Sequence, residues 1–309
     1  EFKDREGKVI LKKVQLTAVA DDGSGKGYYG WLATYYIYDD LNNLRCVVQP
    51  QGVELLSANG WNMNYSSGVI LEEQSFRYEY DSRNRMILKK VPGAGTVYMI
   101  YDARDRLVMT QDSLQRAAHK WLYTIYDALN RPAITGLITD NSNYNNAAYH
   151  RAQAASSTSY PNTASYTDEI LTKAFYDNYN WRSGESNPLS DTRSNSYDSY
   201  LLTASDNSYP YPQAQNQSSQ LRGMMTGAKT KVLGTNNYLY SVNFYDDKAR
   251  LVQVQSTNIT GASDISTTQY GWAGMPVMTV IKHELSGGNA QTTISLSKFT
   301  YDSLQRIVK

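Results

Sequence analysis

The sequence predicts an all-β fold in which antiparallel hairpins pair side by side into a continuous curved or spiralling sheet, interrupted by a mixed insertion with a short helix. Three observations predict it. Tyrosine far exceeds phenylalanine, 27 residues against five, and Tyr, Thr, Val and Ile suit a pleated, half-buried surface. Ser, Asn, Asp and Gly punctuate the apolar stretches as turns require. The dipeptide Tyr-Asp also returns repeatedly in one frame, Tyr-Asp-x-x-x-Arg-apolar.

The copies run in chain order. YDDLNNL begins at Tyr38 and Asp39, and YDSRNRM at Tyr80 and Asp81 with Arg85. YDARDRL begins at Tyr101 and Asp102 with Arg106, and YDALNRP at Tyr126 and Asp127 with Arg131. YDDKARL follows at Tyr245 and Asp246 with Arg250, and YDSLQRI at Tyr301 and Asp302 with Arg306. A degenerate YDNYNW starts at Tyr176, and YGWAGMP from Tyr270 keeps the spacing without the Asp. The closest starts, Tyr80 to Tyr101 and Tyr101 to Tyr126, lie 21 and 25 residues apart, which is room for two short strands and two turns. DSLQR is written twice, at Asp112 to Arg116 and at Asp302 to Arg306. That reads as reuse of one construction module.

Each module reads as a hairpin. Phe76, Tyr78 and Tyr80 alternate along the approach to one motif, and Val97, Met99 and Tyr101 along another. Tyr closes the strand. Asp opens the turn, its carboxylate able to accept from backbone N–H groups two residues on. The position before Arg holds Asn84, Asp105 and Asn130, types that tolerate the left-handed backbone of a bulged turn. Ala249 and Gln305 suit that position less well, so those two turns are expected to take another geometry. Asp and Arg can meet across the hairpin neck, adding about 0.2–1 kcal/mol at an exposed site. On this reading Tyr101→Ala costs about 3 kcal/mol, against about 0.5–2 kcal/mol for Asp102→Ala.

An isolated hairpin is marginal in water, so the modules must cover one another's edges. A chain that opens in mid-strand and stops just after a turn reads as a slice of a longer array. Residues 1–140 and 241–309 carry the repeat, and 141–240 reads as a polar Tyr/Ser/Asn-rich insertion. Within it Asn146 to Ser157 is expected to hold one short helix, and Asp168 to Trp181 to be helix or strand. Asn207 to Gly223 is a loop by its prolines and polar run. Met224 to Gly234 and Asn236 to Asp247 return to strand character. In an array of this period an insertion maps to one face or rim, as plug, docking surface or spacer.

Thirty basic and 29 acidic residues give a net charge of +1, which argues against nucleic acid or an anionic membrane as partner. No apolar run approaches the roughly 18 residues of a membrane helix, and the first twenty are too charged for a signal peptide. The one cysteine, Cys46, excludes an internal disulfide and has no nearby base to activate it.

His119, His150 and His283 lie apart, without metal-ligand spacing, and no G-x-S-x-G elbow occurs. Ser295 and Lys298 match Ser-x-x-Lys only along a strand. DDGSGKG at Asp21 to Gly27 ends in Gly where a phosphate loop needs Ser or Thr, and a strand follows it. No catalytic, metal-binding or cofactor-binding residue emerges, no cofactor is called for, and the chain is not expected to be an enzyme. Tyr28, Tyr29, Trp31, Trp61, Tyr179 and Trp181 lie near turns, where such rings can stack on sugars. Rigid amphipathic sheet surface is the simpler account of them.

The iterated Tyr-Asp-x-x-x-Arg-apolar frame resembles the RHS/YD-repeat family over nearly the whole chain. TYYIYDDLNNLRCVV at Thr34 to Val48, YDSYLLTAS at Tyr197 to Ser205 and FYDDKARLVQVQSTNITG at Phe244 to Gly261 resemble its Bacteroidetes branch. The resemblance implies a large secreted or cell-surface protein whose repeats spiral into a hollow β-shell, often around a variable C-terminal effector or toxin. The implied partners are the remainder of the same chain, then secretion machinery or surface glycans. A cell-surface adhesin or carbohydrate-binding repeat module is the alternative. The sequence departs from the commonest family pattern, which has Gly before the Arg. The family's core sequence for closing the shell and cutting the toxin free is not present in these residues.

Overall fold

The structure, a computed structural model, describes residues 1–26 and 30–308. They divide into two compact units, Glu1–Ile125 with Gly136–Glu169, and Tyr126–Thr135 with Ile170–Lys309. Tyr28, Tyr29 and Gly27 of the sequence reading lie outside the described residues.

In the first unit the strands follow one another in sequence: β1 (Phe2–Lys3), β2 (Val9–Gln15), β3 (Trp31–Tyr38), β4 (Leu44–Val48), β5 (Ser75–Tyr80), β6 (Met86–Lys90), β7 (Val97–Tyr101), β8 (Leu107–Gln111) and β9 (Lys120–Tyr126). Each pairs antiparallel with the next. Strand β10 (Pro132–Thr139) adjoins β9 and is followed by β11 (Thr167–Tyr176). The second unit continues with β12 (Met225–Lys231), β13 (Tyr238–Tyr245), β14 (Leu251–Thr257), β15 (Ser263–Tyr270), β16 (Pro276–Leu285) and β17 (Gln291–Lys298). From β11 onward each is again antiparallel to its successor. The fold is all-β, as the tyrosine content and the repeat indicate.

Helices interrupt both units. The expected helix is α4 (Ala147–Ala155), N-capped by the Asn146 side chain on the Tyr149 N–H. Asp168 to Trp181, left open between helix and strand, is mostly β11, followed by the single turn α5 (Trp181–Gly184). The sequence reading did not anticipate α1 (Pro50–Ala58) and α2 (Tyr65–Glu73) between β4 and β5, the latter broken by left-handed backbone at Ser66, Ser67 and Gly68. Pro50 starts α1, where a missing N–H costs nothing. Val53, Leu56 and Ile70 are turned onto Leu11, Ala33, Cys46 and Val48 of the sheet to form a buried cluster.

The two DSLQR copies fold differently, which corrects the single-module reading. At Asp112 the carboxylate accepts the Gln115 N–H at 2.7 Å, and the Gln115 side chain accepts the Asp112 N–H at 2.9 Å. This capping box starts α3 (Ser113–Ala117). Gln111 stands where the hairpin copy has Tyr301, and its buried amide donates to the Lys120 and Tyr144 carbonyls. Asp302 instead accepts from Leu304 and Arg306 and makes a hairpin turn.

The core of the second unit is Leu189, Val242, Phe244 and Val252, walled by Tyr179, Trp181, Tyr240 and Tyr270. Trp181 stacks on Phe175 at 4.0 Å and lies flat over Gly227, where a Cβ would come within 2.3 Å of the indole. The polar loop between α5 and β12 is held by glutamines that act as surrogate peptide groups. Gln253 accepts from the Ser194 N–H and donates to its carbonyl, both at 2.8 Å. Gln269 does the same with Leu202 at 2.9 Å and also donates to Gln213. Gln255 donates to Thr192. These three glutamines are buried, and their paired amide geometry satisfies loop backbone that would otherwise be orphaned.

Candidate functional site

The Tyr-Asp modules share one local plan. Asp39, Asp81, Asp102, Asp127, Asp246 and Asp302 each take the backbone N–H groups two and four residues on through one carboxylate oxygen, at 2.8–3.0 Å. The other oxygen takes the Arg Nε at 2.6–2.8 Å for Arg85, Arg106, Arg131, Arg250 and Arg306. Two backbone bonds close each turn, Asp N–H to the carbonyl four residues on and the N–H three residues on to the Asp carbonyl. In the module at Asp39, Asn43 stands in the Arg position and donates its amide to Asp39 at 3.3 Å.

The residue before Arg is left-handed throughout: φ is 58° at Asn84, 61° at Asp105 and 63° at Asn130. It is also 60° at Ala249 and 62° at Gln305. The expected alternative geometry of those two turns is therefore wrong. The Asp carboxylate and Arg carbonyl fix five residues between them, and this outweighs the steric preference of one side chain. The carboxyls of Asp81, Asp102 and Asp246 are held below the usual carboxylate range. Burial works against ionisation there, and the Arg side-chain and backbone hydrogen bonds outweigh it. Asp102 and Asp246 are buried, so the pair is more than a surface ornament at these two necks.

Successive modules interlock through tyrosine. At Tyr38, Tyr80, Tyr101, Tyr176, Tyr245 and Tyr270 the pairing register shifts just before the Tyr. Such a bulge leaves a ladder group unpaired. The hydroxyl of the next module's Tyr supplies a donor for the first carbonyl of the return strand. Tyr80 reaches Leu44 at 3.2 Å, Tyr101 reaches Met86 at 3.0 Å, Tyr176 reaches Pro132 at 3.1 Å, Tyr270 reaches Leu251 at 3.1 Å and Tyr301 reaches Pro276 at 2.7 Å. Tyr38 to Val9 is the longest at 3.4 Å, and Tyr245 reaches Met225 at 2.8 Å.

The preceding Arg lies over the same ring: Arg85 on Tyr101 at 4.9 Å, Arg131 on Tyr176 at 4.1 Å and Arg250 on Tyr270 at 4.9 Å. Arg85 and Arg250 also donate to the carbonyls of Asp102 and Gly271 in the following turn. Arg131 pairs with Asp177 at 2.5 Å, drawing the degenerate copy at Tyr176 into the series.

Two further turns of this kind escaped the sequence reading. Asp4 takes the N–H groups of Glu6 and Lys8, Gly7 is left-handed, and Lys8 lies over Tyr38. Its signal was Asp-x-x-Gly-Lys, with glycine in the left-handed place. Asn258 builds the same turn with an amide oxygen, on the Thr260 N–H and with Gly261 left-handed.

The other candidates are placed as follows. Trp31 donates to the Val19 carbonyl, Trp61 meets Tyr35 edge-on at 5.6 Å, Tyr179 donates to Asn243 and packs on Phe244, and Trp181 donates to Thr226. Three of the four are thus tied into the fold by hydrogen bonds. His119 stacks on Tyr144, and His283 pairs with Asp264. His150 is fully buried between Tyr160 and the Asn143 carbonyl. Among the described residues no group of three or more His, Cys, Asp or Glu could hold a metal ion. Ser295 and Lys298 lie on exposed β17, and Cys46 is buried in the sheet, which raises its thiol pKa. Among the described residues no helix is long and apolar enough to cross a membrane.

No family model and no curated protein matches the chain. Among solved structures it is similar to a chain of the TcdB2–TccC3 complex with Cdc42, at 12% identity, 98% coverage of this chain, 12% of that one and a TM-score of 0.46. For TcdB2–TccC3 alone the identity is 12%, the coverage 98% and 13%, and the TM-score 0.45. For a variant Photorhabdus luminescens Tc holotoxin pore the values are 11%, 90% and 11%, and 0.43. The chain thus spans about an eighth or less of the length of those it resembles.

Proposed function

We propose that the chain is a wall segment of an RHS-type β-shell, in a large bacterial protein that is secreted or held at the cell surface. The wall encloses or displays a C-terminal effector, and its partners are further repeats and that effector, with secretion machinery engaging the assembled protein. The observation that carries this reading is the Tyr-to-carbonyl bond from module to module. Each hairpin completes the hydrogen bonding of the one before it, so the structure grows by addition and needs no reactive centre. Such a wall acts by topology: it keeps an unfolded or reactive payload from protease and cytoplasm. Within the insertion at 141–240, the loop between α5 and β12 serves as packed cover, clamped to the sheet by glutamines rather than left as a mobile arm. The Bacteroidetes-type wording is carried by sequence resemblance alone.

The test is limited proteolysis of the complete reading frame that contains this chain. The polypeptide downstream of the repeats should survive protease at concentrations that digest it within minutes when it is expressed alone. Equal digestion in both forms would sink containment.

A further inference from the structure

At Tyr270 a glycine, Gly271, stands where the other modules have Asp. A Cβ at Gly271 would lie 3.2 Å from the Pro210 carbonyl, tighter than a side chain normally packs. The loop carrying Pro210 instead docks on the turn: Pro212 bridges to Gly271, and Gln213 donates its N–H to Tyr270 at 2.8 Å. Buried Gln269 ties the same loop down by donating to Gln213 and Leu202. The hairpin itself survives on backbone bonds, Gly271 N–H to Met275 at 2.8 Å and Gly274 N–H to Gly271 at 3.0 Å.

Docking leaves a cleft of about 270 Å³ between loop and hairpin. Two large rings border it almost bare, Trp272 at 70% exposure and Tyr211 at 69%. Tyr211 sits between two prolines at φ 48°, a left-handed backbone that disfavours a bulky residue and is found where surroundings impose it. The side chains of Asn207, Ser208 and Gln305 line the same cleft, and none makes a hydrogen bond among the described residues. The Trp272 indole N–H and Tyr211 hydroxyl are likewise unpartnered. Among the lining residues the one formal charge is Asp302, whose carboxylate is occupied by Arg306 and the Leu304 N–H.

We propose that this cleft binds a pyranose unit of a neutral polysaccharide. The open aromatic faces match the C–H face of a sugar ring. The amide and hydroxyl groups match its hydroxyls, and the neutralised carboxylate removes any call for a charged ligand. The site is built before ligand arrives, because the loop is already anchored, so little ordering entropy opposes binding. The proposal does not rest on the containment reading.

The full chain is run in native gels containing glycogen, hydroxyethyl cellulose or galactomannan, with alginate as an anionic comparison. Retardation is expected on at least one neutral polymer and not on alginate. Trp272→Ala and Tyr211→Ala should each weaken it about tenfold or more, the scale of losing one stacked aromatic. Trp272→Phe should keep part of it, Trp61→Ala all of it, and thermal melts should stay within a degree or two for these exposed positions. The proposal is overturned by no retardation on any neutral polymer, by Trp272→Ala behaving as the parent, or by stronger retention on alginate. It is also overturned if octaproline, titrated against tryptophan fluorescence, saturates the cleft while the neutral polymers leave it unmoved.

Discussion

The hydroxyl of Tyr101 donates to the backbone carbonyl of Met86 at 3.0 Å, across the boundary between two hairpins. Met86 is the first return-strand residue after Arg85, whose guanidinium lies 4.9 Å from the Tyr101 ring centre. One tyrosine therefore joins its neighbour twice, by hydroxyl and by ring face. Burial raises the Tyr101 pKa, so the hydroxyl stays protonated and donating at any physiological pH.

The two joints can be separated by substitution. Tyr101→Phe keeps the ring and removes the donor, at an expected cost of about 1 kcal/mol. Tyr101→Ala also removes the half-buried ring, for about 3 kcal/mol. In a double-mutant cycle with Arg85→Met, Phe should couple as strongly as Tyr, because the ring persists, and Ala should couple weakly. Chemical denaturation of the six proteins measures it, and equal coupling for Phe and Ala would exclude a ring-face contact.

Asp102 is more deeply committed than its sequence suggests. Its side chain is buried and takes the Arg104 N–H, the Arg106 N–H and two Arg106 guanidinium nitrogens. Asp102→Ala strands these donors and is expected to cost about 3 kcal/mol, level with Tyr101→Ala rather than below it. Arg106→Lys, which cannot form the fork, should lose part of this. A melt in which Asp102→Ala proved nearly neutral would return Asp102 to the role of a simple turn acceptor.

Ala249 holds a left-handed backbone at φ 60°, a conformation that costs an L-residue about 1–2 kcal/mol. Glycine pays no such strain and loses about 0.5–1 kcal/mol in backbone entropy. Ala249→Gly is thus expected to stabilise by about 0.5–1 kcal/mol, and Ala249→Val to destabilise by more than that. Thermal melts in which Gly lowered the midpoint would show that the turn gains nothing from relief of strain.

The repeat was legible because its chemistry is local. Tyr80, Asp81 and Arg85 lie within six positions, and the bonds between them need no distant partner. Ala249 and Gln305 mislead for a related reason: their own preference runs against a turn that the Asp carboxylate imposes. The helices at Pro50 and Tyr65 are hard to see in sequence, because Val53 and Leu56 have helical spacing but strand patterns flank them on both sides. DSLQR shows the limit of local wording. The same five letters start a capped helix after Gln111 and a hairpin after Tyr301, so the preceding residue and its burial decide. Gln253 and Gln269 gave no signal at all, because a glutamine reads as surface until its partner, 59 or 67 residues earlier in the chain, is brought beside it.

Those clamps predict a local unfolding unit. Gln253→Leu preserves volume but leaves the Ser194 N–H and carbonyl without partners, and Gln269→Leu does so for Leu202 and Gln213. Each buried group left unsatisfied costs about 1–3 kcal/mol. Release of the loop should avoid most of that cost, with global stability lowered little. Hydrogen exchange in residues 190–217 should speed up at least tenfold in either variant while β13 and β14 stay protected. Uniform acceleration across the second unit would mean that the glutamines support the sheet rather than the loop.

Asp177 ties the degenerate module to its neighbour, and acid should undo that tie. The Arg131 guanidinium, and then the Gly223 N–H, draw its carboxyl down to about 2, below the ordinary value of 3.8. A carboxyl with a lower pKa in the folded chain binds its proton more readily when unfolded. Its contribution is therefore fully present above about pH 4 and is lost as pH falls through about 2. Asp177→Asn keeps an acceptor for Gly223 and suits the left-handed backbone at φ 71°, but it cannot ionise. Denaturation midpoints of parent and variant should differ at pH 5 and draw together as pH falls to 2, and the difference at pH 5 should shrink in 1 M salt because the pair is partly exposed. If the two proteins kept a constant separation from pH 5 to pH 2, the contribution of Asp177 would be one of shape and not of charge.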